Sequence, residues 1–298
     1  MKIQNLAQLM TAAKEKEKKK IAVVAAEDLD TLIVVERALE EHLAEFILIG
    51  DELAIKSIIE AHKMQIKAEI YHELDHKKAA DLAVDLVVNG KAGALMKGLI
   101  HSNVFLKAIL NKEKSLNTGR HITQISITEN LENDGLLMIT DCAISVAPDT
   151  MGKKEIIENA VALAHQLGIE IPKVGILASV ENINLTMQDT IDAAVLSKMS
   201  ERGQIKGCIV DGPFAFDNVI SKEAAAHKGI NSPVAGVADI VLVPNLLVGN
   251  VLTKSLTYMA KKQVVAATVG AAVPIVFTSR TESIDGKLLS IALATYTA

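Results

Sequence analysis

The chain has 298 residues, half of them hydrophobic, with aromatics at 3% and no tryptophan. Its formal net charge is −5 and no face-long basic patch is evident, which argues against nucleic acid as a partner. The core must be aliphatic (Ile, Val, Leu and Ala), a mix that suits parallel strands buried on both faces by helices.

The first candidate elements are an N-terminal helix whose solvated end is the run Lys14 to Lys20, a buried strand Ile21–Ala26, and a helix from Asp28 to Ala44. A strand Phe46–Gly50 and a helix Leu53–His62 follow. Leu86-Val87-Val88 and Ala94-Leu95-Met96 read as two further strand ends. Ile122–Ile127 and Leu136–Thr140 read as neighbouring strands, with a turn signal at Asp134-Gly135. Apolar residues at helical spacing over Lys153–Leu167 predict a helix that Gly168 closes. Strands are then expected at Val174–Ala178, Cys208–Asp211, Ile240–Pro244 and Val273–Thr278, with a last helix Lys287–Thr297. Strand–helix alternation over this length predicts an α/β fold with mainly parallel sheets and helices on both sides.

Cys142 and Cys208 sit in apolar, strand-like sequence, and CxxC or Cys/His zinc spacings are absent, so neither a disulfide framework nor a metal is expected. There is no secretory pattern at the N-terminus and no apolar stretch of membrane-spanning length, so a cytoplasmic protein without a membrane partner is expected.

The polar residues that could carry chemistry fall just after strands, at the sheet edge where open α/β folds bind ligands. Lys97-Gly98 with His101 follows one strand, Thr140-Asp141 ends another, and Asp211-Gly212-Pro213 a third. Pro244 to Asn250 follows a fourth, and Thr278-Ser279-Arg280 ends the last. Arg280 is one of only four arginines; a guanidinium grips phosphate or carboxylate in a bidentate way and keeps its charge. Gly249-Asn250 reads as the opening of a helix whose N-terminus could hold an anion, with Lys254 one turn in. No GxxxxGK[ST] is present and no GxGxxG follows the first strand, so neither an ATP cradle nor a nicotinamide site is expected. A GxSxG elbow is absent too.

Four ordered segments, Asp211–Asp217, Asn231–Asp239, Pro244–Asn250 and Ser279-Arg280, resemble the phosphate acetyl/butyryltransferase family. Thr140–Ala143 and Lys97–His101 match it as well. Met96-Lys97-Gly98, His227-Lys228-Gly229 and Ser290–Ala294 look like its butyryltransferase branch. The resemblance implies two α/β/α domains with an active-site cleft between them, drawn at 1–146 plus a returning 267–298 segment and at 147–266. It implies reversible acyl transfer, butyryl preferred, between CoA and inorganic phosphate by direct thiolate attack in a ternary complex. CoA and acyl-CoA are then substrates with acyl phosphate, no cofactor is permanently bound, and a homodimer or higher homo-oligomer is expected. Under this reading Arg280 holds the phosphoryl group and Ser279 donates a hydrogen bond to it or to the thioester oxygen. Lys97, His101, Arg120, Thr140, Asp141, Asn250 and Lys254 become candidate substrate contacts. The family's candidate catalytic aspartate falls on Gly286, which leaves Asp285, Asp211, Asp141 or Glu282 to accept the thiol proton. Alternatives are a phosphate acetyltransferase and a non-catalytic family member that binds CoA or acyl phosphate. A thiol-release assay separates all three.

Overall fold

Among the described residues, seven helices begin on a side chain that accepts a backbone N–H of the first turn: Asp28, Asp51, Asp75, Asp149, Ser221, Asn245 and Ser283. The computed structural model describes residues 1–111, 113–114, 116–130, 134–279 and 281–298. In chain order its first half runs α1 (Leu6–Lys14), β1 (Lys20–Val24), α2 (Leu29–Glu40), β2 (Glu45–Gly50), α3 (Glu52–Ala61), β3 (Glu69–His72), α4 (His76–Val88), β4 (Ala94–Lys97) and α5 (Ser102–Ile109). The next part is β5 (Thr123–Glu129), β6 (Leu136–Thr140), α6 (Thr150–Gln166), β7 (Lys173–Leu177), α7 (Gln188–Glu201) and β8 (Ile209–Phe214). The chain then continues through α8 (Phe216–Ile220), α9 (Lys222–His227), β9 (Ile240–Leu242) and α10 (Leu246–Lys254). It closes with a π-helical turn (Ser255–Met259), β10 (Val265–Val269), β11 (Ile275–Val276) and α11 (Ile284–Thr297).

The chain forms two compact units, one of Ala7–Arg120 with Val265–Ala298 and one of Met1–Leu6 with His121–Val264. In the first unit the strand order is β3-β2-β1-β4-β11-β10. All neighbours are parallel except β10, which runs antiparallel to β11. Ile21, Val23, Leu48, Ala94 and Met96 from the sheet pack with Leu32, Val35, Leu288, Ile291 and Ala292 from α2 and α11 in one aliphatic core. In the second unit the order is β5-β6-β9-β7-β8, antiparallel between β5 and β6 and parallel from β6 onward. The division falls at Arg120/His121 rather than at 146/147, because β5 pairs with β6 and β6 with β9.

The structure corrects the expected elements at several places. Leu86-Val87-Val88 lies in α4 with Leu86 and Val87 buried, so an apolar triplet read as a strand is a helix face. The strand expected over Val273–Thr278 is only Ile275–Val276, and β3 and β10 were not anticipated. Asp211 does not end a strand, because β8 runs on to Phe214. Gly249-Asn250 does not open a helix: α10 starts at Leu246 with Asn245 as its cap, so Asn250 is mid-helix. Lys254 therefore stands at the carboxyl end of α10, away from the N-terminal amides it was expected to reinforce.

Candidate active site

In the first unit β11 pairs with β4 in parallel, Val276 opposite Met96. Lys97 and the run from Phe277 to Ser279 therefore leave the sheet at the same carboxyl edge. Lys97 is buried, its ammonium donates to the Gly98 carbonyl at 3.3 Å, and it lies 6.0 Å from the centre of the Phe277 ring. Phe277 stacks on the buried Phe105 of α5, centroids 6.1 Å apart. A side chain on Gly98 would meet the Ala25 carbonyl at 2.2 Å, so glycine is what lets the chain turn off β4 against the end of β1. His101 occupies the cap position of α5, exposed and without a side-chain capping bond. Arg120 is exposed in the loop before β5.

Beyond β11 a tight turn holds Ser279. The Glu282 N–H donates to the Ser279 carbonyl at 3.1 Å, and the Ser279 N–H donates back to Glu282 Oε2 at 3.3 Å. The Ser279 hydroxyl is 3.1 Å from that of Thr281 and accepts the Thr281 N–H at 3.4 Å. Arg280, expected to clamp the anion, lies outside the described residues. Glu282 is half-buried, and burial pushes its carboxyl up to about 7 against the opposing pull of the Ser279 N–H, Lys287 and Ser290. Its Oε1 is buried and makes no hydrogen bond among the described residues. The carboxyl takes up space that Gly286 leaves open: a Cβ there would stand 3.1 Å from Glu282 Cγ and 3.2 Å from Oε1. Asp285, expected as a proton acceptor, is instead exposed and 2.7 Å from the Arg37 guanidinium.

In the second unit the expected acids are occupied by the backbone. Asp141 is buried and its two oxygens accept from the N–H groups of Gln124, Ala143, Ile144 and Ser145 at 2.9–3.3 Å. The Thr140 hydroxyl is buried and donates to the Gln124 carbonyl at 3.4 Å. Asp211 accepts from the Gly212 N–H at 2.8 Å and from the Ser232 hydroxyl at 2.5 Å. Gly249 lets α10 rest on this loop, since a Cβ there would be 2.4 Å from the Asp141 carbonyl. Asn250, the next residue, is half-buried in the middle of α10. Outside the residues expected from the sequence lies the buried pair Lys153–Asp192, 2.5 Å apart, in which Asp192 also accepts from Thr150 and Gln188. Burial pushes the Asp192 carboxyl up, but these bonds outweigh it and hold it below its ordinary value.

Neither cysteine is poised as a nucleophile. Burial pushes the Cys142 thiol up and the Cys208 thiol to about 11. Among the described residues no group of three His, Cys, Asp or Glu could hold a metal ion, and no helix is long and apolar enough to cross a membrane.

Residues 56–295 match the family described as phosphate acetyl/butaryl transferase. The chain is 44% identical over 295 residues to a phosphate butyryltransferase of Clostridium beijerinckii, covering 99% of this chain and 98% of that one. It is 45% identical over 297 residues to a phosphate butyryltransferase of Clostridium acetobutylicum, covering 99% of each. The crystal structure of a branched-chain phosphotransacylase from Enterococcus faecalis V583 superposes with a TM-score of 0.82 at 31% identity, covering 94% of this chain and 98% of that one.

Proposed function

The chain belongs to the phosphate acetyl/butaryl transferase family, and on that premise we propose that it exchanges a short acyl group, butyryl preferred, between CoA and inorganic phosphate. The observation that carries this reading is identity of 44–45% to two phosphate butyryltransferases over nearly the whole chain. The local geometry agrees with it: a hydroxyl and an ammonium leave adjacent parallel strands at one edge. In the proposed reaction the CoA thiolate attacks the acyl phosphate carbonyl directly, and phosphate departs with the electrons of the C–O bond. Ser279 donates to the oxygen that gains charge, and Arg280 and Lys97 offset the charge of the phosphoryl group. His101, Arg120, Asn250 and Lys254 are proposed to contact CoA or phosphate. Thr140 and Asp141 are proposed to shape the loop beside them. Holding both substrates in line supplies most of the acceleration, about 7–11 kcal/mol in well-oriented systems.

CoA, acyl-CoA and acyl phosphate are substrates here, and no resident cofactor enters the proposal. A cytoplasmic setting accords with the two free cysteines. Exposed Leu247, Val251 and Met259 offer apolar surface for the proposed homo-oligomer. The test is release of free CoA from butyryl-CoA and phosphate by the purified protein, compared with acetyl-CoA. Butyryl-CoA, two methylenes longer than acetyl-CoA, is expected to give the higher kcat/KM, by about 10- to 200-fold for each methylene the pocket holds. Absence of release from any short acyl-CoA would refute the enzyme reading.

A further inference from the structure

The turn that carries Ser279 is closed by an acid that the described residues leave half satisfied. Glu282 Oε2 takes the Ser279 N–H, while Oε1 is buried with no hydrogen-bond partner among the described residues. A carboxylate oxygen out of water and without a donor is costly, so an acid kept only to brace the turn would be expected to have both oxygens bonded. The other acids considered for proton transfer are bonded: Asp141 by four backbone amides, Asp211 by Ser232 and Gly212, Asp285 by Arg37. Gly286 leaves room for the Glu282 carboxyl: a Cβ there would crowd Cγ at 3.1 Å and Oε1 at 3.2 Å.

We propose that Glu282 is the proton acceptor for the CoA thiol, standing in the same four-residue turn as the Ser279 hydroxyl. The proposal rests on the acyl-transfer reading above. In the direction of thioester formation the CoA S–H bond gives its proton to the Glu282 carboxylate. The sulfur forms its bond to the carbonyl carbon, and the bond from that carbon to the phosphoryl oxygen breaks with its electron pair on phosphate. In the reverse direction the protonated carboxyl returns the proton to the departing sulfur as phosphate oxygen attacks.

The electrostatic surroundings suit the role. Burial holds the carboxyl at about 7, between the ordinary glutamate value and the roughly 8.5 of a free thiol, so it is ionised when needed and can still take a proton. Of the charges around it, Lys287 at the start of α11 pulls the other way. The Ser290 hydroxyl moderates the shift without meeting hydrogen-bond geometry, and Arg37 on α2 is engaged by Asp285.

The experiment is the pH dependence of kcat and KM for thioester formation from butyryl phosphate and CoA, for wild type, Glu282→Gln and Glu282→Asp. The wild-type kcat should rise through about pH 7 and level off. The glutamine variant should lose about a hundred- to ten-thousand-fold in kcat with little change in KM. Its residual rate should climb with pH until the thiol ionises by itself near 8.5. The aspartate variant should recover part of the loss and keep an acid limb. A glutamine variant that matches wild type, or one slowed equally at every pH with the limb near 7 retained, overturns the assignment. A wild-type protein without turnover overturns instead the acyl-transfer reading on which it rests.

Discussion

Asp141 and Glu282 both follow a strand end, one in each unit, and both accept backbone N–H groups from their own loop. Asp141 uses both oxygens for four such bonds and has become part of the loop's scaffold. Glu282 uses one oxygen for one bond and leaves the other without a partner among the described residues. The same side-chain chemistry beyond a strand end in each unit thus serves opposite ends. A carboxylate saturated by amides holds backbone, and one left short of donors keeps its capacity to take a proton.

Substitution at each acid should break or sharpen this contrast. Asp141→Ala leaves up to four loop amides without their acceptor and should lower stability most, by about 3 kcal/mol or more, read as the shift of the chemical-denaturation midpoint. Glu282→Gln should do the reverse above neutrality. The native pKa of Glu282 is raised from near 4.5 to about 7, so its contribution to stability is fully present below about 4.5 and is lost as pH rises through 7. The glutamine variant should therefore gain on wild type by at most about 3 kcal/mol between pH 4 and pH 8, measured as the difference in unfolding free energy. Asp285→Asn removes only an exposed ion pair to Arg37 and should change stability by less than about 1 kcal/mol, with turnover unchanged.

The architecture was largely legible. Aliphatic strands alternating with capped helices left few other arrangements, and the carboxyl-edge placement of Lys97 and Ser279 followed from parallel pairing. Short elements were less so: Leu86-Val87-Val88 has the composition of a strand, and only the register of the preceding apolar residues on α4 makes it a helix face. The helix after Pro244 is marked in the sequence by Asn245, whose side chain accepts the Val248 N–H, and the glycine at 249 is a misleading signal for its start. That glycine serves close packing against the Asp141 carbonyl rather than opening a helix. The proton acceptor was not decidable from the chain alone. Four acids were candidates by position, and what separates them is whether their oxygens are already bonded, which depends on long-range neighbours such as Arg37 for Asp285 and Ser232 for Asp211.

The most direct test of the central claim sets the carboxamide variants side by side: kcat for CoA acylation by Glu282→Gln, Asp285→Asn and Asp211→Asn at pH 7.5, each checked for a native unfolding transition. The account predicts a loss of about a hundredfold or more confined to Glu282→Gln. A comparable loss in Asp285→Asn or Asp211→Asn, with Glu282→Gln near wild type, would contradict it.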